Sequence, residues 1–198
     1  MRIGIDISQI VHEGTGVSVY VRNIVISLIR AYPAHEYVLF GASLRKRAVF
    51  DAFVRSCRDA NASVRLVSVP IPPTLLDIMW NRLHIFPIEW FIGSVDVFWS
   101  SDWTQPPLVH AKGVTTIHDL SIIKFPQESH NTTHVTLSKG RISADIVGTQ
   151  TRRLMRAKRV CSLFLCDSEV TKQDAHTVLG IASDKLRVIY PGYEMHTL

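Results

Sequence analysis

Ile3-Gly4-Ile5-Asp6-Ile7, followed through Gly14-Thr15-Gly16 by Val17, Tyr20, Val21, Ile24, Val25, Leu28 and Ile29, is the stretch on which the fold turns. The isoleucine-rich opening reads as a strand, because β-branched side chains suit a pleated, half-buried surface. The apolar positions that follow recur at the i, i+3, i+4, i+7, i+8 spacing of one helix face. A strand passing directly into an amphipathic helix is a βα unit. Pro33 ends that helix, having no amide proton for the helical ladder.

Working outward, the unit repeats. Tyr37 to Phe40 reads as a strand, Leu44 to Arg58 as a helix, and Val64 to Val69 as a strand closed by Ile71-Pro72-Pro73. Leu75 to Phe91 reads as an apolar, tryptophan-bearing helix interrupted at Pro87, followed by a strand from Val95 to Trp99 and a loop containing Gln105-Pro106-Pro107. Val114 to Ile117 is the next strand, Thr133 to Lys158 a long helix, and Ser162 to Cys166 a buried strand. Glu169 to Leu179 is a helix ended by Gly180, and Leu186 to Tyr190 a last strand. This alternation predicts an α/β fold: a Rossmann-like, open, mostly parallel sheet with helices on both faces.

A chain of 198 residues that is 46% hydrophobic and 20% charged can bury one sizeable core, so one domain is the expectation. Three cysteines, Cys57, Cys161 and Cys166, are too few and too widely spaced for a zinc site, and read as core residues of a reduced protein. Neither a secretory leader nor a run of about 18 apolar residues is present, which leads us to expect a cytoplasmic protein.

A net charge of +5 admits a phosphate-bearing ligand, nucleic acid or anionic membrane as partner. Seven cations, Lys139, Arg141, Arg152, Arg153, Arg156, Lys158 and Arg159, share one region with a single acid, Asp145. Such a field reads either as a solvated helix face or as a surface docking on the inner, anionic face of a membrane. Nucleic acid fits less well, since no stacking aromatics are interleaved with these charges. Trp80, Trp90, Trp99 and Trp103, with Phe86, Phe91 and Phe98, read mostly as core packing.

Three segments carry candidate chemistry. Gly14-Thr15-Gly16 ahead of a helix suits a phosphate at the helix amino terminus, or is a plain turn. The third glycine of a dinucleotide fingerprint is Val19 here. In Val114-Thr115-Thr116-Ile117-His118-Asp119 an apolar strand runs into a His-Asp pair at its carboxyl end, where open α/β sheets bind ligands. Cys166-Asp167-Ser168-Glu169 is a strand end meeting a helix start, with Ser168 a candidate cap and Glu169 in the first turn.

These segments resemble the amino-terminal, acceptor-side domain of family 4 glycosyltransferases of the GT-B fold. Gly14-Thr15-Gly16-Val17-Ser18-Val19-Tyr20 is similar to that family's glycine loop, with Ser18 where an arginine is often found. His118-Asp119-Leu120-Ser121-Ile122-Ile123-Lys124-Phe125-Pro126 is similar to its sugar-contacting segment, and Leu186-Arg187-Val188-Ile189-Tyr190-Pro191-Gly192-Tyr193-Glu194 to the stretch that leaves its first domain.

The resemblance implies one half of a retaining, metal-independent hexosyltransferase that needs no cofactor, with mannose or glucose moved from a nucleotide-diphosphate sugar to a hydroxyl of a glycan or lipid-linked acceptor. It implies that Gly14, Thr15 and Gly16 face the donor diphosphate and that His118 contacts the sugar. Asp119, Ser168 and Glu169 would line the cleft, and Trp103 and Gln105 would lie on the acceptor side. Residues 1–194 would form the domain and 195–198 a tail or the start of a linker, with the nucleotide site in a separately encoded carboxyl-terminal domain. Two other classes stay open: a non-catalytic binding subunit, and a nucleotide-binding oxidoreductase.

Overall fold

The structure, a computed structural model, describes residues 1–61, 63–125 and 146–192. Seven strands form one all-parallel sheet: β1 (Arg2–Asp6), β2 (Glu36–Ala42), β3 (Val64–Val69), β4 (Val97–Ser100), β5 (Lys112–Ile117), β6 (Cys161–Cys166) and β7 (Leu186–Val188). Their order is β3-β2-β1-β4-β5-β6-β7. The chain winds outward from β1 in one direction and from β4 in the other, so the connections diverge between those two strands. That divergence opens a crevice beyond their carboxyl ends, where such sheets bind ligands. The expected Rossmann-like α/β architecture is the one observed.

Both faces are covered, and the pleat shows why. Tyr37 and Leu39 of β2 pack with Val21, Val25 and Ile29 of helix α1 (Gly16–Ala31) and Phe50, Phe53 and Val54 of helix α2 (Arg47–Arg58). The alternate residues Val38 and Phe40 point to the other face, against Leu76, Trp80, Ile88 and Ile92. The helices Ile146–Val160 and Glu169–Thr177 cover the β5–β7 half through Leu154, Ala157 and Ala175. Each fully buried Leu, Ile, Val or Phe contributes roughly 1.5–3 kcal/mol against exposure, which sets the sheet's two-sided burial above any local preference.

Three features depart from the expected elements. The Leu75–Phe91 helix is instead a short turn, Pro73–Leu76, running into a π-helix, Asp77–Leu83, and, after left-handed His84 and Phe86, the short helix Glu89–Ile92. Ser121–Lys124 adds a helical turn directly after β5. The helix read as Thr133 to Lys158 is observed from Ile146, its earlier part, together with Lys139, Arg141 and Asp145, lying outside the described residues. All three cysteines are buried free thiols, and burial pushes Cys57 and Cys166 up to about 11 and Cys161 to about 12. They are core side chains held in the protonated form.

Gly113 lies where the backbones of β5 and β6 approach closely. A Cβ there would lie 2.8 Å from Leu108 Cδ1 and 3.0 Å from both the Cys161 Cα and the Val160 carbonyl, at the point where the β5–β6 register shifts. Nothing stands within 4 Å of the same position on Gly16. Gly113→Ala is therefore expected to lower the urea-unfolding free energy by about 1–3 kcal/mol, while Gly16→Ala stays within about 0.5 kcal/mol of the parent.

Candidate ligand site at the switch point

Asp6 ends β1 at the divergence and is buried. Its Oδ1 accepts the Ser8 amide at 2.9 Å, turning the chain into the 3₁₀ segment Ser8–Val11. Its Oδ2 is buried without a hydrogen-bond partner among the described residues; the Ser101 hydroxyl stands nearby, short of hydrogen-bonding geometry. Burial, outweighing the hydrogen bonds from Ser8, raises the Asp6 carboxyl above the ordinary carboxylate range.

Across the crevice, Asp102 follows β4 and also keeps one buried oxygen, Oδ1, without a hydrogen-bond partner among the described residues. The pocket between them, walled by Val17, Tyr20, Thr116 and His118, encloses only about 10 Å³. It opens toward a larger cleft of about 720 Å³ lined by Ser8, His12, Thr15, Lys46, Asp102 and Trp103.

His118, one residue beyond β5, is the pivot of the site. Its Nδ1 lies 2.6 Å from Asp167 Oδ2, at the end of β6. An ionised carboxylate can only accept, so Nδ1 carries the proton and Nε2 of the neutral ring keeps a lone pair for a ligand. Tyr20 of α1 meets the imidazole edge-on, with ring centroids 4.9 Å apart, and Thr171 Oγ1 donates to the His118 carbonyl at 3.1 Å. Asp167 Oδ1 and Tyr20 Oη are buried without a partner of hydrogen-bonding geometry among the described residues, and burial, countered in part by the nearby Thr116 hydroxyl, raises the Tyr20 phenol. Among the described residues, Asp6, Tyr20 and Asp102 thus bring polar oxygens to one pocket, with the Ser101 hydroxyl beside Asp6 and the Thr116 hydroxyl beside Tyr20, a set suited to a ligand that carries hydrogen-bond donors.

The structure brings some expected site residues together and moves others away. His118 and the start of α1 meet through Tyr20. Gly14 adopts φ 81°, a conformation suited to glycine, and Gly16 opens onto a groove shared with Tyr20 and Tyr190. The Thr15 hydroxyl is engaged in capping α1, accepting the Ser18 amide at 3.2 Å and donating to the His12 carbonyl at 2.8 Å. Trp103 lines the larger cleft.

Gln105 requires correction: it is wholly buried, its Oε1 accepts the Ser100 hydroxyl at 2.6 Å, and its backbone N–H donates to Asn81 Oδ1. Asp119 turns away from His118 and accepts the Ser121 amide and hydroxyl, capping the turn after β5. Ser168 caps the Glu169–Thr177 helix by accepting the Thr171 amide at 3.1 Å, and exposed Glu169 pairs with Lys172.

The basic run is corrected as well. Arg153 is not a surface cation but 2% exposed, and its Nη2 donates to the Ser101 and Thr116 carbonyls, each at 3.0 Å, and to the Thr115 hydroxyl. Burial lowers its pKa, countered in part by Asp102. Lys158 is turned to the Leu179 carbonyl at 2.8 Å, and Arg152 lies half-buried with its guanidinium on Thr149. Arg156 and Arg159 remain beside the π-helix.

Asp167 was legible only as part of a strand-to-helix junction, and nothing in its spacing tied it to His118, 49 residues away. Asp6 and Asp102 carried one usable signal: each is an acid at the end of an apolar strand.

Fold and crevice together define a Rossmann-like α/β domain with an acid-rimmed crevice, a candidate ligand site, at its switch point. No family model matches the sequence, and no curated protein matches it either.

Because the folded-state pKa of Asp6 lies above its unfolded value, the native state binds more protons through that interval, so stability falls as pH rises from the ordinary carboxylate range through the raised value. Asp6→Asn keeps the Oδ1 acceptor for Ser8 and removes the buried charge. It is expected to raise Tm at neutral pH and to flatten the pH dependence of Tm on the acid side, measured by thermal denaturation across that range. An unchanged pH profile would exclude Asp6 as the titrating group.

Proposed function

We propose that this chain is the acceptor-side domain of a retaining glycosyltransferase of the family 4, GT-B type, moving a hexose, mannose or glucose, from a nucleotide-diphosphate sugar to a hydroxyl of a glycan or lipid-linked acceptor. The observation that carries the reading is the crevice beside His118. There an imidazole oriented by Asp167 stands beside a pocket walled by Asp6, Tyr20, Asp102 and Thr116, in which a buried oxygen of Asp6 and one of Asp102 have no hydrogen-bond partner among the described residues. Sugar hydroxyls are both donors and acceptors, so they suit this set: carboxylates take their protons, and His118 Nε2 accepts one or, when protonated, donates one.

The division of labour follows from charge. A departing diphosphate requires preorganised cations, usually one of the largest contributions to catalysis. Around His118 the described walls carry carboxylates, and the buried guanidinium of Arg153 is held by Ser101, Thr115 and Thr116. The reading therefore assigns the leaving-group cations and the nucleotide to a second domain facing this crevice, with the Gly14–Gly16 loop approaching the diphosphate from this side. The same acid-rimmed crevice would serve a non-catalytic polyol-binding subunit, and product formation separates the two.

The test is to incubate the purified chain with nucleotide-hexoses and hydroxyl-bearing acceptors, with and without a candidate second-domain protein, and to follow products by mass spectrometry. Transfer is expected only in the complemented mixture. There His118→Ala should lower kcat by about 10²-fold, the order of loss for one positioned catalytic hydrogen bond, with Tm nearly unchanged. Asp167→Asn should lower it as well, by allowing the ring to rotate and exchange tautomers. Acceptor binding without transfer in every mixture would favour the binding subunit, and a collapse of Tm in His118→Ala with normal residual turnover would make His118 structural.

A further inference from the structure

The segment Leu75–Trp90 exposes apolar surface that the fold holds in place. Trp90 is 72% and Leu83 60% exposed, and Leu75, Ile78, Ile85 and Phe86 are exposed as well. Single exposed apolar residues are ordinary, but six within one short segment form a patch that calls for a partner. The display is enforced from below. Leu76, Trp80 and Ile88 are buried, Trp80 Nε1 donates to the Phe86 carbonyl at 3.0 Å, and Asn81 Nδ2 donates to Asp77 Oδ1 and to the Trp103 carbonyl.

Between these anchors the backbone turns left-handed at φ 56° at His84, which caps the π-helix, and takes a costly φ of 60° at Phe86. Left-handed backbone at a bulky residue is a genuine outlier and tends to mark a functional segment. Here its effect is to turn Leu83, Ile85 and Phe86 outward, with Phe86 and Trp90 packed edge-on at 6.0 Å.

Cations border the patch. Arg156 reaches it from the Ile146–Val160 helix, donating to the Asn81 carbonyl at 3.1 Å and the Arg82 carbonyl at 2.6 Å. Arg159, exposed, lies near enough that it and Arg156, after burial, lower the pKa of His84. Arg82 is half-exposed, its charge shared with Asp77 at 3.0 Å. The acid on the segment's far end, Glu89, accepts the Val109, His110 and Ala111 amides.

An apolar, tryptophan-tipped surface with arginines at its edge matches the water–lipid boundary, where aromatic rings sit at headgroup depth and guanidiniums meet phosphates. No helix among the described residues is long and apolar enough to cross a membrane. We infer that residues 75–90, with Arg156 and Arg159, form a docking surface for an anionic phospholipid bilayer, into whose interface Leu83, Ile85, Phe86 and Trp90 insert. The inference stands independently of the glycosyl-transfer reading.

Flotation with vesicles of phosphatidylcholine alone, or of phosphatidylcholine mixed with phosphatidylglycerol, tests it. The full chain is expected to float with the mixed vesicles and to bind less as salt screens the charges. The paired substitution Leu83→Ser and Trp90→Ser should weaken that binding about tenfold or more, and Arg159→Glu should weaken it several-fold, with circular dichroism and Tm of each variant unchanged. Trp90→Phe, which preserves the ring, should retain most of the binding. Absence of flotation with either vesicle, or anionic binding undiminished in the Leu83/Trp90 variant, would overturn the inference. So would light scattering that shows a dimer dispersed by the same two substitutions, which would make the patch an interface between two copies of the chain.

Discussion

The guanidinium of Arg153 is the interaction on which the geometry of the crevice rests. It enters from the Ile146–Val160 helix and gathers the Ser101 carbonyl beyond β4 together with the Thr115 hydroxyl and Thr116 carbonyl of β5. Both strand ends that carry site residues, Asp102 after β4 and His118 after β5, are thereby tied to one rigid group. Hydrogen bonds to a charged donor are roughly twice as strong as neutral ones, and a buried charge left without them is severely destabilising. The position of His118 relative to Asp6 and Asp102 is therefore a property of the helix packing as much as of the loops. Gln105 reinforces the same region from below, joining Ser100 to the Asn81 side chain and so coupling β4 to the π-helix.

Much of the fold was legible because burial on both sheet faces leaves a strong trace in sequence. β-branched runs such as Ile3–Ile7 and Val64–Val69 could hardly be anything but strands, and the heptad-like spacing from Val17 to Ile29 required a helix. The segment after β3 was misread for a physical reason. Leu75 to Phe91 is mostly apolar, with Asp77, Asn81, Arg82, His84 and Glu89 interspersed, so its composition satisfies a helix; in the fold Trp80 and Ile88 join the same cluster as Phe40 from either side of the π-helix end and the positive-φ residues His84 and Phe86. Tertiary packing selected a π-helix and left-handed backbone that no local preference encodes.

The site was legible in part. His118 could be chosen because strand ends are where such sheets place chemistry, but its partner is Asp167, not the adjacent Asp119. Successive residues leave a strand in opposite directions, so a neighbour in sequence is a poor candidate for side-chain contact, whereas the equivalent position on the next parallel strand is a good one. Arg153 was hidden in a run of like charges. Its position four residues after Thr149 and four before Ala157, both buried, puts it on the inward stripe of the helix, a periodicity masked by the surrounding arginines. Gln105 followed a tryptophan in a proline-rich loop and resembled a ligand-facing residue, yet its amide fills hydrogen-bonding needs that the end of β4 leaves open.

The three thiols give the molecule built-in reporters of its own opening. Cys57 belongs to the core shared by α1, α2 and the β1–β3 half, whereas Cys161 and Cys166 bracket β6 in the other half. Each is shielded from solvent and held protonated by burial, so an alkylating reagent can reach it only when the surrounding packing has parted. Relative labelling of Cys57 against the β6 pair therefore distinguishes a sheet that separates at the β1–β4 seam, one half loosening before the other, from one that comes apart as a whole.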